Sequence, residues 1–288
     1  MPELPEVETT VRGLNKTVRG KKIVGVTTVY KSAYHKDKDN IKDPKFFKYF
    51  KSKIIGQKIL KAERRAKNIL MHLGNGETIL THMKMTGFYF YNPPKDTKFI
   101  RLNFELDNGK HLAFSDMRKF AKVTLIETDK LPHSPHLSHL GPEPLDNKFG
   151  IKNFESRIMM RPNTPIKTVL MDQTLIAGIG NIYSDEILWR AGIHPSSMPK
   201  SVPKKNITLA FKAIKEVLKK GIDFGGDSTS DYRNIYGLPG KFQNKHHVYR
   251  KTGKACARRG CSGIIVRQVV GGRSAHFCPV HQKLISKK

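Results

Sequence analysis

The chain reads as an α+β, multidomain protein, and three features predict this. Two Asn-Gly pairs, Asn75-Gly76 and Asn108-Gly109, each lie between apolar runs in the first half. A helical apolar stripe runs through residues 206–220. The only three cysteines fall within the last 33 residues, on either side of a short hairpin pattern.

Taken in order, the opening "MPELPEVETT" leads into apolar residues at Val7, Val11, Leu14 and Val18. That spacing predicts a helix, with Pro5 suited to its first turn and Gly20 ending the run. Residues from about 22 to 130 read mainly as strands. "NILMHLGNGETILTHM" and "RLNFELDNGKHLAFSD" are each two apolar stretches around Asn-Gly, the strongest short hairpin signal. "LPHSPHLSHLGPEPLD" carries four prolines and little periodicity, which places an interdomain linker at 131–149. His133, His136 and His139 lie inside it and read as a solvated linker rather than a metal site.

From 150 onward the pattern turns helical. Residues 165–192 read as two short helices broken at "AGIGN". "NITLAFKAIKEVLKK" puts Ile207, Phe211, Ile214 and Leu218 on one face, with Gly221 as its expected cap. A Gly/Asp/Ser-rich loop follows 222. The expected domains are 1–130, 150–245 (including a loop at 225–242) and 246–288.

Lys and Arg number 53 against 24 for Asp and Glu, giving a net charge of +29. The commonest physical cause of such an excess is a polyanionic partner, because each neutralised phosphate releases condensed counterions. A membrane surface is the rival polyanion. No apolar run approaches 18 residues and no signal-peptide pattern opens the chain, so the expectation is a soluble intracellular protein without membrane association.

"CARRGCSGIIVRQVVGGRSAHFCPVH" gives Cys256-x4-Cys261-x16-Cys278-x2-His281, with a hairpin turned at Gly271-Gly272. Two ligand pairs around a short hairpin fit one tetrahedral structural zinc, with three thiolates and one imidazole. A hairpin this small gains its folding free energy from the metal. His276, two residues before Cys278 on a strand, is the less favoured alternative to His281. Arg267 and Arg273 project from the hairpin, and Arg273, at the turn, reads as a DNA contact.

Together, "PELPEVET", "RRAKNILMHL", "DMRKF", "MDQTLIAGIGNIYSDE", "GGDSTSDYRNIYGLPGKFQ", "VYRKTG" and "GRSAHFC" resemble the formamidopyrimidine-DNA glycosylase family, in family order over nearly the whole chain. The resemblance implies an N-terminal β-sandwich with flanking helices, a helix–two-turn–helix domain and a C-terminal zinc hairpin. It implies a bifunctional enzyme that excises oxidised purines from duplex DNA and cleaves the abasic site. No small-molecule cofactor is expected, and the chain is expected to act as a monomer. Two other readings stay open: an endonuclease VIII-like glycosylase for oxidised pyrimidines, and a non-catalytic zinc-containing damage-binding protein. Against the former, Leu4 stands where that sister family usually has glycine, and the 225–242 loop is long.

By the same resemblance Pro2 is the nucleophile, attacking C1′ once Met1 is removed. An α-amino group titrates near ~8, far below lysine's ~10.4, so more of it carries a free lone pair at neutral pH. Glu3 is the implied acid/base for O4′. Glu6 is within reach of the same terminus, to hold the amine or a water. Both glutamates also suit the positive end of a helix dipole. Lys67 is implied to reach the lesion's phosphate. Met85, Arg118 and Phe120 match a trio that fills the void left by an everted base, with Phe120 as wedge and Arg118 facing the orphaned cytosine. Core packing is the plain alternative for Met85 and Phe120. Asn181, read as a helix N-cap, and Lys167 match residues that clamp phosphates. The loop 225–242 matches a lesion-capping loop, and its Gly, Ser and Asp content predicts mobility. Three departures stand out: Ala121 where glycine is usual, a four-residue first cysteine gap, and histidine as last ligand.

Overall fold

The computed structural model describes residues 1–285. They form two compact units. The first takes in residues 1–139 and 224–241, the second residues 140–223 and 242–285. The chain thus leaves the first unit inside the proline-rich stretch, and the segment after the last long helix returns to the first unit.

The first unit is a β-sandwich. One antiparallel sheet orders β1 (Ile23–Thr28), β6 (Ile100–Leu106), β7 (His111–Asp116) and β5 (Gly87–Tyr91). The other orders β2 (Ile59–Arg65), β3 (Asn68–Leu73), β4 (Glu77–His82) and β8 (Lys122–Glu127). Both Asn-Gly hairpins form, joining β3 to β4 and β6 to β7. Gly76 and Gly109 supply the left-handed backbone, at φ 80° and 73°. Ile69, Met71, Ile79 and Val123 from one sheet meet Leu102, Phe104, Leu112 and Phe114 from the other in a single core. Each such side chain contributes about 1.5–3 kcal/mol by leaving water.

Helix α1 (Leu4–Thr17) adds Val7, Val11 and Leu14 to this core and packs on β2 and β3. The strand reading of 22–130 overlooks one helix, α2 (Pro44–Ile54). Its signal was present: Asp43 accepts the Phe46 N–H at 2.7 Å as N-cap, and Pro44 occupies the first turn. Phe50 and Ile54 then face the core.

The second unit holds α3 (Ile151–Met159), α4 (Ile166–Met171), α5 (Asn181–Ala191) and α6 (Lys204–Asp223), followed by the hairpin of β9 (Val266–Val270) and β10 (Arg273–Phe277). Gly221 does not end α6. It is buried within the helix, which runs on to Asp223 before Gly225 turns left-handed at φ 72°. A glycine tolerated by close packing carries the same sequence signal as a cap. Phe211 is half-buried and packs its ring on Phe149 and Phe154. Arg273 pairs with Val270 across Gly271-Gly272, both with positive φ, as a two-residue turn of the kind that fits strand twist. A side chain at Gly271 would collide with Thr168 of α4, so the turn also needs glycine for close approach. No helix among the described residues is long and apolar enough to cross a membrane.

Candidate active site and nucleic-acid interface

The start of α1 is built around carboxylates held out of water. Pro2, Glu3 and Glu6 are all buried. Glu6 accepts the Glu3 N–H at 2.8 Å, half of a capping box, with its other oxygen accepting the Asp227 N–H at 2.7 Å. The Tyr232 hydroxyl donates to the Glu6 carbonyl at 3.1 Å. Ile235 reaches the sandwich core, and its carbonyl accepts the Tyr91 N–H. The loop 225–242, expected from its composition to be mobile, is therefore pinned at three points. One buried apolar residue and one buried carboxylate outweigh the flexibility of its glycines. Just beyond the last of these anchors Tyr236 and Leu238 stay exposed.

Lys67 lies in the two-residue turn between β2 and β3, after Ala66 at φ 53°. Arg64 donates to Glu8 of α1 at 3.1 Å and to the Ala66 carbonyl at 3.2 Å. That relay fixes the Lys67 turn relative to the helix that begins at Leu4. Lys67 itself is buried. Its charge is felt nearby: burial first, then Lys84 and Lys67, push His82 down to about 3. His82 is thus a neutral ring, and its Nδ1 accepts the Lys84 N–H at 3.0 Å.

Met85, Arg118 and Phe120 come together at the surface. Met85 is 41% exposed and Phe120 50%, which excludes core packing for both. The Arg118 guanidinium lies 4.6 Å from the Phe120 ring centroid and donates to the Met85 sulfur at 3.2 Å. Asp116, fully buried, organises this cluster. It accepts the Tyr30 hydroxyl, the Thr86 hydroxyl and the Ala121 N–H, all at 2.8–2.9 Å. Thr86 in turn accepts the Arg118 N–H at 3.1 Å. Burial first, and then the Asp116 charge, push the Tyr30 hydroxyl up, so it stays a donor. Replacing Asp116 by alanine strands three buried donors, at about 1–3 kcal/mol each. Urea denaturation of Asp116→Ala is expected to show a loss of at least about 3 kcal/mol; an unchanged midpoint removes Asp116 from this role.

In the second unit the "GIGN" turn is tied by Gln173. Its Oε1 accepts the Gly178 N–H at 2.9 Å and its Nε2 donates to the Ile179 carbonyl at 2.8 Å. Gly180, not Asn181, is the N-cap of α5, and Asn181 is its first helical residue. The glycine takes the extended cap conformation, which moves the asparagine one place into the helix. The Asn181 Oδ1 is buried with no hydrogen-bond partner among the described residues.

Lys167 corrects an expectation. A phosphate clamp requires an ammonium not already committed to another anion, but that of Lys167 is fully buried against Asp185. Its Nζ binds Asp185 at 2.5 Å, Ser184 at 3.2 Å and the Asn181 carbonyl at 3.4 Å. The other Asp185 oxygen accepts the His276 N–H at 2.9 Å and pairs with its Nδ1 at 3.0 Å. Lys167 and Asp185 thereby lock α4, α5 and β10 together. His276 is committed to that lock. Arg273 is exposed at the hairpin tip, while Arg267 donates to Ser274 at 2.6 Å.

Glu186 is a site residue the sequence does not announce. Buried on α5, it accepts the N–H groups of His247, Val248 and Tyr249 in succession. Burial opposes its ionisation, but the His247 side chain and these N–H groups outweigh it and hold Glu186 below the usual carboxylate range. The "VYRKTG" loop is shaped by this one carboxylate.

The sulfurs of Cys256, Cys261 and Cys278 lie within 4.8 Å of one another, a group able to hold a metal. Cys261 and Cys278 are 3.6 Å apart, against about 3.8 Å for the edge of a tetrahedron with zinc–sulfur bonds of ~2.3 Å. His281 does not join them within that span. Its Nε2 donates to the Trp189 carbonyl at 2.7 Å, which leaves the lone pair on Nδ1. Nδ1 is buried with no hydrogen-bond partner among the described residues. Burial first, then Arg258, lower the His281 pKa, which favours the neutral form a metal needs.

Comparison with known proteins agrees with this geometry. Residues 1–123 match the model of the formamidopyrimidine-DNA glycosylase N-terminal domain, and residues 140–233 that of its H2TH domain. The formamidopyrimidine-DNA glycosylase of Pelotomaculum thermopropionicum is 38% identical over 99% of this chain and 100% of its own. That of Streptococcus pyogenes is 39% identical over 98% and 99%. Lactococcus lactis Fpg bound to DNA with an abasic site superposes with a TM-score of 0.86, at 35% identity over 98% of this chain and 99% of that one. The same enzyme bound to N7-benzyl-Fapy-dG DNA gives 0.86 at 36% identity, over 98% and 100%. With both domain models and full-length relatives in agreement, the chain belongs to the formamidopyrimidine-DNA glycosylase family.

Proposed function

We infer that this protein is a base-excision repair enzyme: a glycosylase that removes oxidised purines, 8-oxoguanine and formamidopyrimidines, from duplex DNA and then cleaves the abasic site as a lyase. The observation that carries the reading is the assembly at the head of α1. There Pro2 and Glu3 stand beside Glu6, which is joined to the 225–242 loop, and Arg64 relays α1 to the Lys67 turn.

With Met1 removed, the Pro2 nitrogen attacks C1′ of the damaged nucleotide. The C1′–base bond breaks, and Glu3 gives O4′ the proton that opens the sugar. The secondary amine leaves a cationic iminium, the electron sink for β,δ-elimination. Glu6, bonded to both the Glu3 N–H and the Asp227 N–H, ties the 225–242 loop to the catalytic terminus. Lys67 meets a phosphate of the damaged nucleotide and assists base release. Met85, Arg118 and Phe120 fill the void, and Asn181 and Arg273 hold backbone phosphates. Lys167, being buried, serves this interface by positioning α5. Cys256, Cys261, Cys278 and His281 hold one zinc ion, which supplies folding free energy to the hairpin and takes no part in the chemistry. The protein binds duplex DNA as a monomer.

Borohydride reduction in the presence of lesion-bearing duplex tests the activity. Covalent trapping is expected on 8-oxoguanine paired with cytosine, at least tenfold faster than on thymine glycol. Faster trapping on thymine glycol favours the sister pyrimidine-specific reading. No adduct on any lesion leaves only a damage-binding protein.

A further inference from the structure

Beside Phe120 the first unit carries a cleft of about 510 Å³ that the proposed chemistry does not use. Four lysines line it: Lys38, Lys42, Lys84 and Lys122. Two acids, Asp37 and Asp39, line it as well, yet neither forms an ion pair with these lysines among the described residues. Their ammonium groups settle for weaker company. Lys38 sits 3.6 Å over the exposed Tyr34 ring, Lys42 donates to the Lys119 carbonyl at 2.6 Å, and Lys122 shares a 3.3 Å hydrogen bond with Nδ1 of His136. Lys42 is buried. The crowding is felt: burial first, and then Lys84, lower both Lys42 and Lys122, against the opposing pull of Asp116 on one and Asp39 on the other. His35 is lowered by burial and then by Lys42, Lys38 and Lys122.

With four lysines against two aspartates the lining is net positive, and such a cleft concentrates anions. A phosphodiester supplies both the missing charge and acceptor oxygens for several ammonium groups. Phe120 lines the same cleft, and Lys42 holds the Lys119 carbonyl, where the backbone is left-handed at φ 58°. An anion there bears directly on the wedge loop. We propose that this cleft is a phosphate subsite for the undamaged strand, beside the base pair that Phe120 wedges. The strand assignment rests on the function inferred above: Arg118, in the same loop, faces the orphaned base, so donors continuous with that loop meet the strand carrying it.

The test uses a duplex with a tetrahydrofuran abasic analogue opposite cytosine, and the variant Lys84→Gln/Lys122→Gln. One lost phosphate contact lowers the slope of log K against log salt by about 0.9, so between 50 and 200 mM salt the variant loses roughly 3.5-fold less affinity than wild type. A single methylphosphonate on the undamaged strand, within three nucleotides of the orphaned base, is expected to cause the same change in wild type and none in the variant. Lys84→Arg/Lys122→Arg is expected to restore the slope, which separates charge from misfolding. An unchanged slope in the glutamine variant, or sensitivity confined to methylphosphonates on the lesion strand, overturns the proposal. Borohydride trapping of the wild type reports the inferred activity independently of that slope.

Discussion

A version of the protein with extra residues left in front of Pro2 is expected to give no borohydride-trapped product, although it folds and binds duplex. In an ordinary peptide bond the Pro2 nitrogen is a tertiary amide without an available lone pair. Removal of Met1, which is half-exposed, converts it to a secondary amine. At pH 7.5 an α-amino group with a pKa near ~7.9 is roughly a quarter unprotonated, and a lysine near ~10.4 only about a thousandth. Any lysine standing in as nucleophile therefore starts about two hundredfold behind before geometry is counted. Pro2→Gly keeps an α-amine but loses the ring constraint and the obligate iminium charge. Its expected trapping rate lies between those limits. Pre-steady-state trapping, with mass spectrometry of the adduct to locate the modified residue, checks both variants. An extended protein that still traps at the wild-type rate would falsify the Pro2 mechanism.

How much of this was legible beforehand depended on range. Turn signals read true, since both Asn-Gly hairpins and the Gly271-Gly272 turn describe contacts between residues close in sequence, whereas cap signals at Gly221 and Asn181 miss the helix ends. Nor is the order of strands in the two sheets legible, since β1 pairs β6 and β4 pairs β8 across long separations that periodicity does not encode. Motifs single out Glu3, Glu6 and the Met85–Arg118–Phe120 trio, but not the residues that hold them in place. Asp116 reads as one more polar residue at a strand end, yet it is the fully buried acceptor for three donors. Asp185 and Glu186 sit together mid-helix, where charge ordinarily marks a solvated face. They are buried because α5 is enclosed on most sides, its partners arriving from α4, the 247–249 backbone and β10. Lys167, matched by resemblance to a phosphate-clamping lysine, is enclosed in the same way, and its counter-ion stands eighteen residues away, beyond the reach of local pattern.

Stripping zinc is expected to unfold the C-terminal segment and abolish specific DNA binding. The core there is thin: Trp189, Val248, Ile265, Cys256 and Cys278, with Cys261 half-buried against them. A lone pair of five-residue strands is marginal in water. Structural zinc contributes an apparent ~10–16 kcal/mol at neutral pH in small zinc modules, as much as the whole stability of many domains. The chain carries its own reporter, because its one tryptophan, Trp189, donates to Cys256 Sγ at 3.4 Å and stacks on His281 and His247. Purified protein is expected to hold one zinc per chain. Extraction with a chelator is expected to shift Trp189 emission, remove hydrogen-exchange protection from residues 251–285 and weaken binding to lesion duplex at least about a hundredfold, with recovery on adding zinc back. Cys256→Ser is expected to do the same permanently. His281→Ala addresses the fourth ligand: Nδ1, left with a lone pair by the Nε2 bond to Trp189, completes the tetrahedron only if the ring closes on the three sulfurs. Its zinc affinity, measured against a competing chelator, is expected to fall at least tenfold. An alanine variant that retains zinc as tightly as wild type would reassign that position, and a metal-free protein with unaltered Trp189 emission and full protection would show that the three sulfurs pack as ordinary buried thiols.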